Sequence, residues 1–510
     1  MKKHFVKILS LVVAGALVLS ACGGKSKETD TLIVVTPSLP PTLDPVAVNT
    51  QPASQVNVQI YETLILQQGR DAVLSPGLAT SWEFVDAQTI NLKLRQGVKF
   101  HNGEDFKASD VKFSLERAIE SSHTRTIIGM VSDIIINNDH DVTIKLEYPF
   151  APIISHLAHP VISMVSEVAV KASEAAGENY GDNPIGTGPF KFSEFVVGDK
   201  IELTRFEDYW GTKPTFNNMT FRMIPEATNR LIEVETGSAH IAYGVSATDI
   251  PAAEANANLN LVRDLNYSLT YLGFNTTKAP FDNPLVRQAI AHALDKDAIV
   301  KGVYHGAGKP AVAPINDNVW ASNGALEAYE FNVERALELM KEAGLENGFS
   351  AKLWTNTGNA QRADLSEIIQ NQLRAINIDV TVELMEFSVF TEKMSTPEEH
   401  EMFILGWGTT TNDPDYGLFN LFHSDSFGDA GNRMFWSSPQ VDRLLEEGRR
   451  ETNPDKRLQI YTEAQEIIHA ELPWISVWQG EDLSVIGNNV RNFEHAPAGH
   501  HKLFPVSISE

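Results

Sequence analysis

The sequence predicts an α/β fold divided into two or three domains. Segments that alternate like strands and segments with helical spacing of apolar residues mix along the whole chain, as in layered α/β architectures. The roughly 490 residues after Cys22 exceed what one hydrophobic core usually holds. A composition of 43% hydrophobic and 21% charged residues is that of an ordinary globular protein.

The first 21 residues have the pattern of an export signal. Three lysines precede an apolar run, 8–19, that is too short to span a membrane comfortably. Two small residues then precede Cys22, the only cysteine of the chain, and 19–22 resembles a bacterial lipobox, in which the cysteine becomes the acylated first residue. We therefore expect a lipoprotein signal peptide at 1–21 and a lipidated tether at 22–30. The alternative is a chance cysteine in an ordinary secretory signal.

Charge and cysteine usage limit the possible partners. A formal net charge of -25 argues against nucleic acid, which binds basic surfaces, and against attachment through anionic lipid headgroups. With Cys22 acylated, the mature chain can form no disulfide, so its stability must come from burial.

The expected elements follow from periodicity and from turn residues. Strands are predicted at 31–36, 88–100, 141–148, 200–206, 219–224, 240–245, 378–387 and 402–408. Helices are predicted at 109–120, 283–303, 333–344, 362–376, 439–450 and 455–472. The segment 183–190 is dense in Gly and Pro and is expected to be a turn.

The sequence offers no catalytic constellation. It lacks a G-x-S-x-G elbow and an H-E-x-x-H helix, and the phosphate-loop-like segment 302–310 has the wrong spacing and is expected to be a helix-ending turn. His495, His500 and His501 are expected to be a solvated cluster, and His423 a structural residue. We therefore expect no catalytic residue, no cofactor and no metal site.

Four segments, 74–118, 183–211, 271–300 and 406–422, resemble the extracellular solute-binding proteins of the peptide/nickel group, family 5, which serve ABC importers. The resemblance covers essentially the whole mature chain. It implies an α/β, two-lobed periplasmic-binding-protein type II fold with an extra domain and a ligand cleft between the lobes. The implied boundaries are 25–61, 183–267 and 489–510 for a discontinuous domain I, 62–182 for domain II and 268–488 for domain III.

The resemblance also implies a function. The chain is expected to be a lipid-anchored, monomeric, extracytoplasmic receptor that binds a short peptide, glutathione included, and delivers it to the permease of an ABC importer. The first alternative is a receptor of the same fold for a nickel chelate, haem or another non-peptide solute. An extracellular enzyme or chaperone is a third hypothesis, from a different class.

The segment 406–417 is the predicted ligand loop, because a polar loop that follows a strand is a usual place for ligand contacts. Trp407 offers a rigid apolar face with one donor, although a plain core role is the alternative. The other candidates in this part of the chain are Thr409, Thr410, Asn412, Asp415, Tyr416 and Trp436.

One position departs from the pattern that the resemblance implies. Dipeptide- and oligopeptide-binding relatives carry an aspartate three residues after this tryptophan, where it pairs with the α-ammonium of the peptide; here that residue is Thr410. Either Asp413 or Asp415 takes the role, or the ligand presents something other than an amine there. Arg362 lies near the position of an arginine in the dipeptide binders and could pair with a ligand carboxylate. A surface arginine that opens a helix is the alternative.

Overall fold

The structure is a computed structural model that describes residues 30–69, 72–428 and 431–509 of the chain. Cys22 and the predicted signal peptide lie outside the described residues. The strands are β1 Thr31–Thr36, β2 Ile65–Gln68, β3 Val73–Pro76, β4 Ala79–Asp86, β5 Thr89–Leu94, β6 Val131–Asn138, β7 Asp141–Leu146, β8 Phe190–Val196, β9 Lys200–Arg205, β10 Asn218–Met223, β11 Ile241–Tyr243, β12 Leu259–Phe274, β13 Lys309–Pro310, β14 Phe349–Asn356, β15 Ile378–Met385, β16 Met402–Gly408, β17 Trp474–Gly487, β18 Val490–Arg491 and β19 Ser507–Ile508.

The helices alternate with these strands over most of the chain. They are α1 Gln51–Ile60, α2 Ala108–Glu120, α3 Arg125–Ile128, α4 Ile153–His156, α5 Glu167–Ala176, α6 Ala227–Glu235, α7 Ile250–Ala255, α8 Pro284–Ala293, α9 Lys296–Val303, α10 Val333–Glu342, α11 Ala360–Leu373, α12 Phe387–Lys393, α13 Pro414–Phe422, α14 Pro439–Arg450 and α15 Pro454–Glu471. In the described ranges, no helix is both long and apolar enough to cross a membrane.

A mixed sheet of eleven described strands connects most of the fold. Its order is β15-β14-β16-β12-β17-β11-β1-β10-β9-β8, with β13 paired to β17. The long strands β12 and β17 run antiparallel at its centre, from the pair Leu259–Gly487 to the pair Gly273–Trp474. Because β11 pairs with one end of this two-stranded ribbon and β16 with the other, both long strands belong to both halves of the sheet.

The ribbon is irregular where it passes from one half to the other. Leu265 lies opposite Glu481 and Leu269 opposite Gln479, so the short stretch between them carries two more residues on β12 than on β17. Gly480 occupies this point, where an added Cβ would lie 2.7 Å from Asn266 Oδ1. The break in register lets the two halves twist differently.

Hydrophobic residues form separate cores in the described part of the chain. One core, between Val46 and Met164, lies on the antiparallel sheet β4-β5-β7-β6; we call this sheet and the elements packed on it the small domain. Two further cores cover opposite faces of β14, β16 and the adjoining half of β12, since alternate residues such as Phe403 and Ile404 point to opposite sides. We call these strands and α8–α15 the C-terminal lobe.

The remaining two cores cover β1 and the strands β8–β11, which form the N-terminal lobe. The predicted domain boundaries stay predictions. The boundary between residues 267 and 268 would fall inside β12, which is continuous from one lobe to the other.

The prediction of one helix over 283–303 is wrong, because this segment forms two helices. The first helix, α8, ends at Ala293, and the side chain of Asp295 then accepts a hydrogen bond from the Ala298 amide at 2.8 Å and starts α9. An N-cap residue in the middle of a periodic stretch therefore divides it. The segment after α9 is a turn, as predicted, with Gly308 at a φ of +76°.

The prediction of a solvated histidine cluster near the C-terminus is also wrong. His495, His500 and His501 are all buried. His495 contacts Asp264 at 3.0 Å through Nδ1 and Ser484 at 2.7 Å through Nε2, which ties the tail to β12 and β17. In the described ranges, no group of three or more His, Cys, Asp or Glu side chains is arranged to hold a metal ion.

Candidate functional site

Two cavities meet at the C-terminal end of β16, and together we call them the cleft. The larger has a volume of about 610 Å³ and lies between the small domain and the C-terminal lobe. The smaller, of about 300 Å³, extends toward α9 and the start of α11. Arg362, Gly406 and Trp407 line both cavities. These volumes are in the usual range for a small-molecule site, about 300–1,000 Å³.

Trp407 and Tyr416 lie together in the wall of the cleft. Their ring centroids are 5.3 Å apart, and both side chains are half-buried. The Trp407 Nε1 atom is buried without a hydrogen-bond partner in the described residues, so this donor is left for a ligand. The sequence therefore identified an aromatic pair that the fold does bring to the cavity.

Arg362 lies at the junction of the two cavities. The side chain of Asn359 caps α11 by accepting a hydrogen bond from the Arg362 amide at 3.0 Å. This cap sets the position of Arg362 in the first turn of the helix. Its guanidinium donates to Asn356 Oδ1 at 2.8 Å, so its partner is an amide rather than a carboxylate. An added Cβ on Gly406 would lie 2.9 Å from Arg362 Nη2, so the glycine leaves room for the guanidinium.

The neighbours that act on the pKa of Arg362 likewise include no carboxylate. Burial lowers the pKa of Arg362, and Tyr271 and Tyr304 are the neighbours that act against this shift. A half-buried guanidinium that has only neutral partners is suited to receive a ligand carboxylate in bidentate geometry.

Asp413 and Asp415 are each held by an arginine of the same lobe. Arg457 contacts both oxygens of Asp413 at 2.9 Å, and Arg449 contacts the two oxygens of Asp415 at 2.9 and 3.1 Å. Asp413 also caps α13, where its side chain accepts from the Asp415 amide. Of the two carboxylates, only Asp415 lines the cleft, and its charge there is already paired.

The polar residues of the loop have different positions. Thr409 is buried and Thr410 is half-buried, and neither lines the cleft. Asn412 has a φ of +57°, accepts from the Trp320 amide at 3.0 Å and donates to the Ala72 carbonyl at 3.3 Å. Asn412 therefore bridges the C-terminal lobe to the β2-β3 hairpin.

Trp436 lies in the core rather than in the cleft. Its side chain is 4% exposed as part of the core of the C-terminal lobe, and its Nε1 donates to Glu471 at 2.9 Å. His423 is buried and stacks on Phe419 at 4.1 Å between ring centroids, in agreement with a structural role. For the predicted residues that do line the cleft, ligand binding stays a prediction.

The sequence analysis missed the residues that the small domain contributes. Phe150 and His156 line the larger cavity opposite Trp407. The guanidinium carbon of Arg449 lies 3.3 Å from the ring centre of Phe419 and 5.4 Å from that of Phe150, so it bridges the two walls. The signal that could have indicated them is weak, because 148–160 has no regular periodicity.

The small domain and the C-terminal lobe are in direct contact, as expected of a closed cleft. The Ala151 amide donates to the Arg449 carbonyl at 2.8 Å, in addition to the Asn412 bridge. A further cavity of about 830 Å³ lies between the same two bodies, with Trp82, Phe84 and Trp320 in its walls. Asn412 and Asp413 line this cavity, while Asp415 and Tyr416 line the cleft.

Comparison with known proteins gives consistent matches. The family described as bacterial extracellular solute-binding proteins, family 5 Middle, matches residues 73–429. Among curated proteins, Heme-binding protein A of Haemophilus influenzae is 27% identical over 99% of both chains. The dipeptide-binding protein of Escherichia coli K12 is 29% identical over 89% of both chains, and the glutathione-binding protein GsiB of Escherichia coli O1:K1 is 30% identical over 96% of both chains.

Solved structures match over nearly all of the chain. HbpA2 from Haemophilus parasuis superposes with a TM-score of 0.88 at 28% identity and covers 94% of this chain and 100% of its own. DppA from Helicobacter pylori, solved in complex with the peptide STSA, gives a TM-score of 0.78 at 27% identity over 94% of this chain and 98% of its own.

Proposed function

This chain belongs to the bacterial extracellular solute-binding proteins of family 5, and from that premise we propose that its ligand is a short peptide with more carboxylates than amines, such as glutathione. Proteins of this family bind a solute outside the cytoplasm and deliver it to the permease of an ABC importer. Binding rather than catalysis is the activity of the family.

The observation that supports an anionic ligand is the setting of Arg362. Its guanidinium lies at the junction of the two cavities, and its described partners are neutral. A ligand carboxylate placed there gains a charge-assisted hydrogen bond in a partly desolvated site, where such bonds are strong. The half-buried Trp407 and Tyr416 add an apolar surface for the ligand beside it.

The pairing of the acidic residues also supports this proposal. In the described ranges, Asp415 is the single carboxylate that lines the cleft, and Arg449 holds it. An ordinary dipeptide carries one ammonium and one carboxylate, whereas glutathione carries one ammonium and two carboxylates. The positive charge of Arg362 therefore favours the second kind of ligand.

A non-peptide solute is the second candidate, because one relative with an extensive match is named for haem binding. Heme-binding protein A spans the full length of this chain, and the nickel transporter structure from Bacillus halodurans shares the fold with a TM-score of 0.81. His156 supplies the specific observation in favour, since its ring lines the larger cavity and could ligate an iron or nickel centre.

The attachment of the protein to the membrane is part of the proposal. The pattern of the first 22 residues supports acylation of Cys22, which would place a monomeric receptor on a lipid tether. Two acyl chains on one residue are enough for stable anchoring.

Calorimetry on the ligand-free protein distinguishes these candidates. Glutathione, dialanine, trialanine, haemin and a nickel–histidine chelate are titrated in turn. We expect glutathione to bind most tightly. If only haemin or the chelate releases heat, the peptide proposal fails and the second candidate replaces it.

A further inference from the structure

His156 presents an unused hydrogen-bond acceptor to the cleft. It is the last residue of α4 and is 2% exposed. Its Nδ1 lies 2.6 Å from the Ile127 carbonyl oxygen, which can only accept, so Nδ1 carries the proton. In the neutral ring, Nε2 then has a free lone pair.

The Nε2 atom has no partner in the described part of the chain. It is buried, and His156 lines the larger cavity from the small domain, whereas Trp407 and Tyr416 line it from the C-terminal lobe. Burial lowers the pKa of His156, and the Ile127 carbonyl and Asp415 act in the opposite direction. The ring is therefore neutral at neutral pH, and a buried acceptor without a partner is costly unless a bound molecule supplies a donor.

The ligand group for which the loop offers no unpaired carboxylate is the ammonium. Arg362 can receive a carboxylate, but Thr410 cannot neutralise an amine and both carboxylates of the loop are held by arginines. Accepting a hydrogen bond from an ammonium needs a lone pair on a group that carries no positive charge, and a neutral imidazole meets that condition.

We infer that His156 Nε2 accepts a hydrogen bond from the α-ammonium of the bound peptide, and this assignment rests on the proposed function. Asp415 lines the same cavity as His156. Arg449 uses only part of the acceptor capacity of the two Asp415 oxygens. The ammonium thus contacts one neutral acceptor, His156 Nε2, and one carboxylate, that of Asp415, whose charge also pairs with Arg449. The charged groups that act on His156 are Asp415, Asp413 and Arg449.

Matched ligands and matched variants test this assignment. Glutathione is compared with glutaryl-cysteinyl-glycine, which lacks only the amine, and trialanine with propionyl-dialanine. His156→Asn keeps an amide donor near the position of Nδ1 for Ile127 but lacks the distal acceptor. His156→Gln places an amide oxygen near the position of Nε2. The dissociation constant of each pair is measured by calorimetry, and thermal unfolding checks that both variants fold.

We expect the wild type to bind the amine-bearing peptide about ten- to a hundredfold more tightly than its deamino partner, as for a hydrogen bond to a charged group. The ratio should fall about tenfold in His156→Asn, in which Asp415 remains, and recover in part in His156→Gln. A wild type that binds peptides without this preference, or a His156→Asn variant that keeps the full wild-type ratio, overturns the His156 assignment but not the proposed function. A wild type that binds none of the four peptides overturns the proposed function, and the assignment with it. Even if both variants fail to fold, a wild type without this preference overturns the assignment.

Discussion

The Arg457 guanidinium and the Asp413 carboxylate form a buried bidentate pair, with two N–O distances of 2.9 Å between side chains that are 8% and 6% exposed. Removing one member leaves an uncompensated charge in the core, so we expect Arg457→Ala to lower the free energy of unfolding by about 3–5 kcal/mol. Urea unfolding followed by circular dichroism measures this loss. Arg450→Ala is the control, because the Arg450 side chain is 60% exposed and its pair with Glu446 should contribute under about 1 kcal/mol. Equal losses in the two variants would contradict the prediction.

Arg362→Ala should weaken binding of glutathione by about 2–5 kcal/mol, because a ligand carboxylate would lose its partner in a partly desolvated site. Calorimetry gives the dissociation constants. Arg374→Ala, an exposed arginine just after the same helix, should leave affinity unchanged. If Arg362→Ala binds glutathione as tightly as Arg374→Ala does, Arg362 is not the carboxylate site.

Cys22→Ala should prevent acylation and release the protein from the membrane or leave it unprocessed. The measurement is fractionation of cells without detergent, together with the mass of the mature N-terminal residue. Ser26→Ala changes the tether outside the lipobox and should stay with the membrane. Membrane association of Cys22→Ala after washing would show that the anchor is something else.

Ligand binding should make the protein more compact, because the hydrogen bonds between Ala151 and Arg449 and between Asn412 and Ala72 need a closed cleft. Small-angle scattering should therefore show a smaller radius of gyration with glutathione at saturation. Asn412→Gly keeps a residue suited to positive φ but removes the bridge, so the closed state should be less populated and the apparent affinity lower. An identical scattering profile with and without ligand would indicate a preformed pocket.

Stability should fall as the pH drops below about 6.5, because several buried histidines must stay neutral in the folded state. Burial and, secondarily, His500 lower the pKa of His159 to about 3, while burial and Lys502 lower the pKa of His500 to about 4. Between these values and the unfolded pKa of about 6.5, the unfolded state binds more protons, so the free energy of unfolding decreases on acidification.

For each histidine the loss from neutral pH to about pH 5 is up to about 2 kcal/mol. His500→Gln should flatten this dependence, as measured by urea unfolding at the two pH values. His123→Gln, at an exposed position, should not change it. A wild type equally stable at both pH values would contradict the prediction.

Most of the elements that local patterns predicted are present, because periodicity and capping residues act within a few turns of chain. The strands 31–36 and 402–408 and the helix 439–450 lie where alternation or helical spacing placed them. The strands β12 and β17 were not predicted. β12 is half-buried over most of its first half and buried over its second, and β17 is buried over most of its length, so neither strand shows a steady alternation of apolar and polar residues.

Apart from Arg362, which the family resemblance indicated, the site was predictable only where a local loop carries it. Trp407 and Tyr416 belong to one segment and do line the cleft, but the pairing of Asp413 and Asp415 depends on Arg457 and Arg449, which lie far along the chain. His156 comes from another domain altogether. Trp436 has the same aromatic character as Trp407, and only its position in the fold places it in the core.

The order of the strands in the main sheet has a consequence for how this chain acquires its structure. β1 pairs with β10 and β11, β11 pairs with β17, and Gln59 donates to the His501 carbonyl at 2.7 Å. The core and the sheet around the first strand are therefore complete only when residues more than four hundred positions later are present. Contacts this distant in sequence form slowly, since the loop must close before they contribute. The N-terminal lobe therefore cannot be completed until the last residues of the chain have been synthesised.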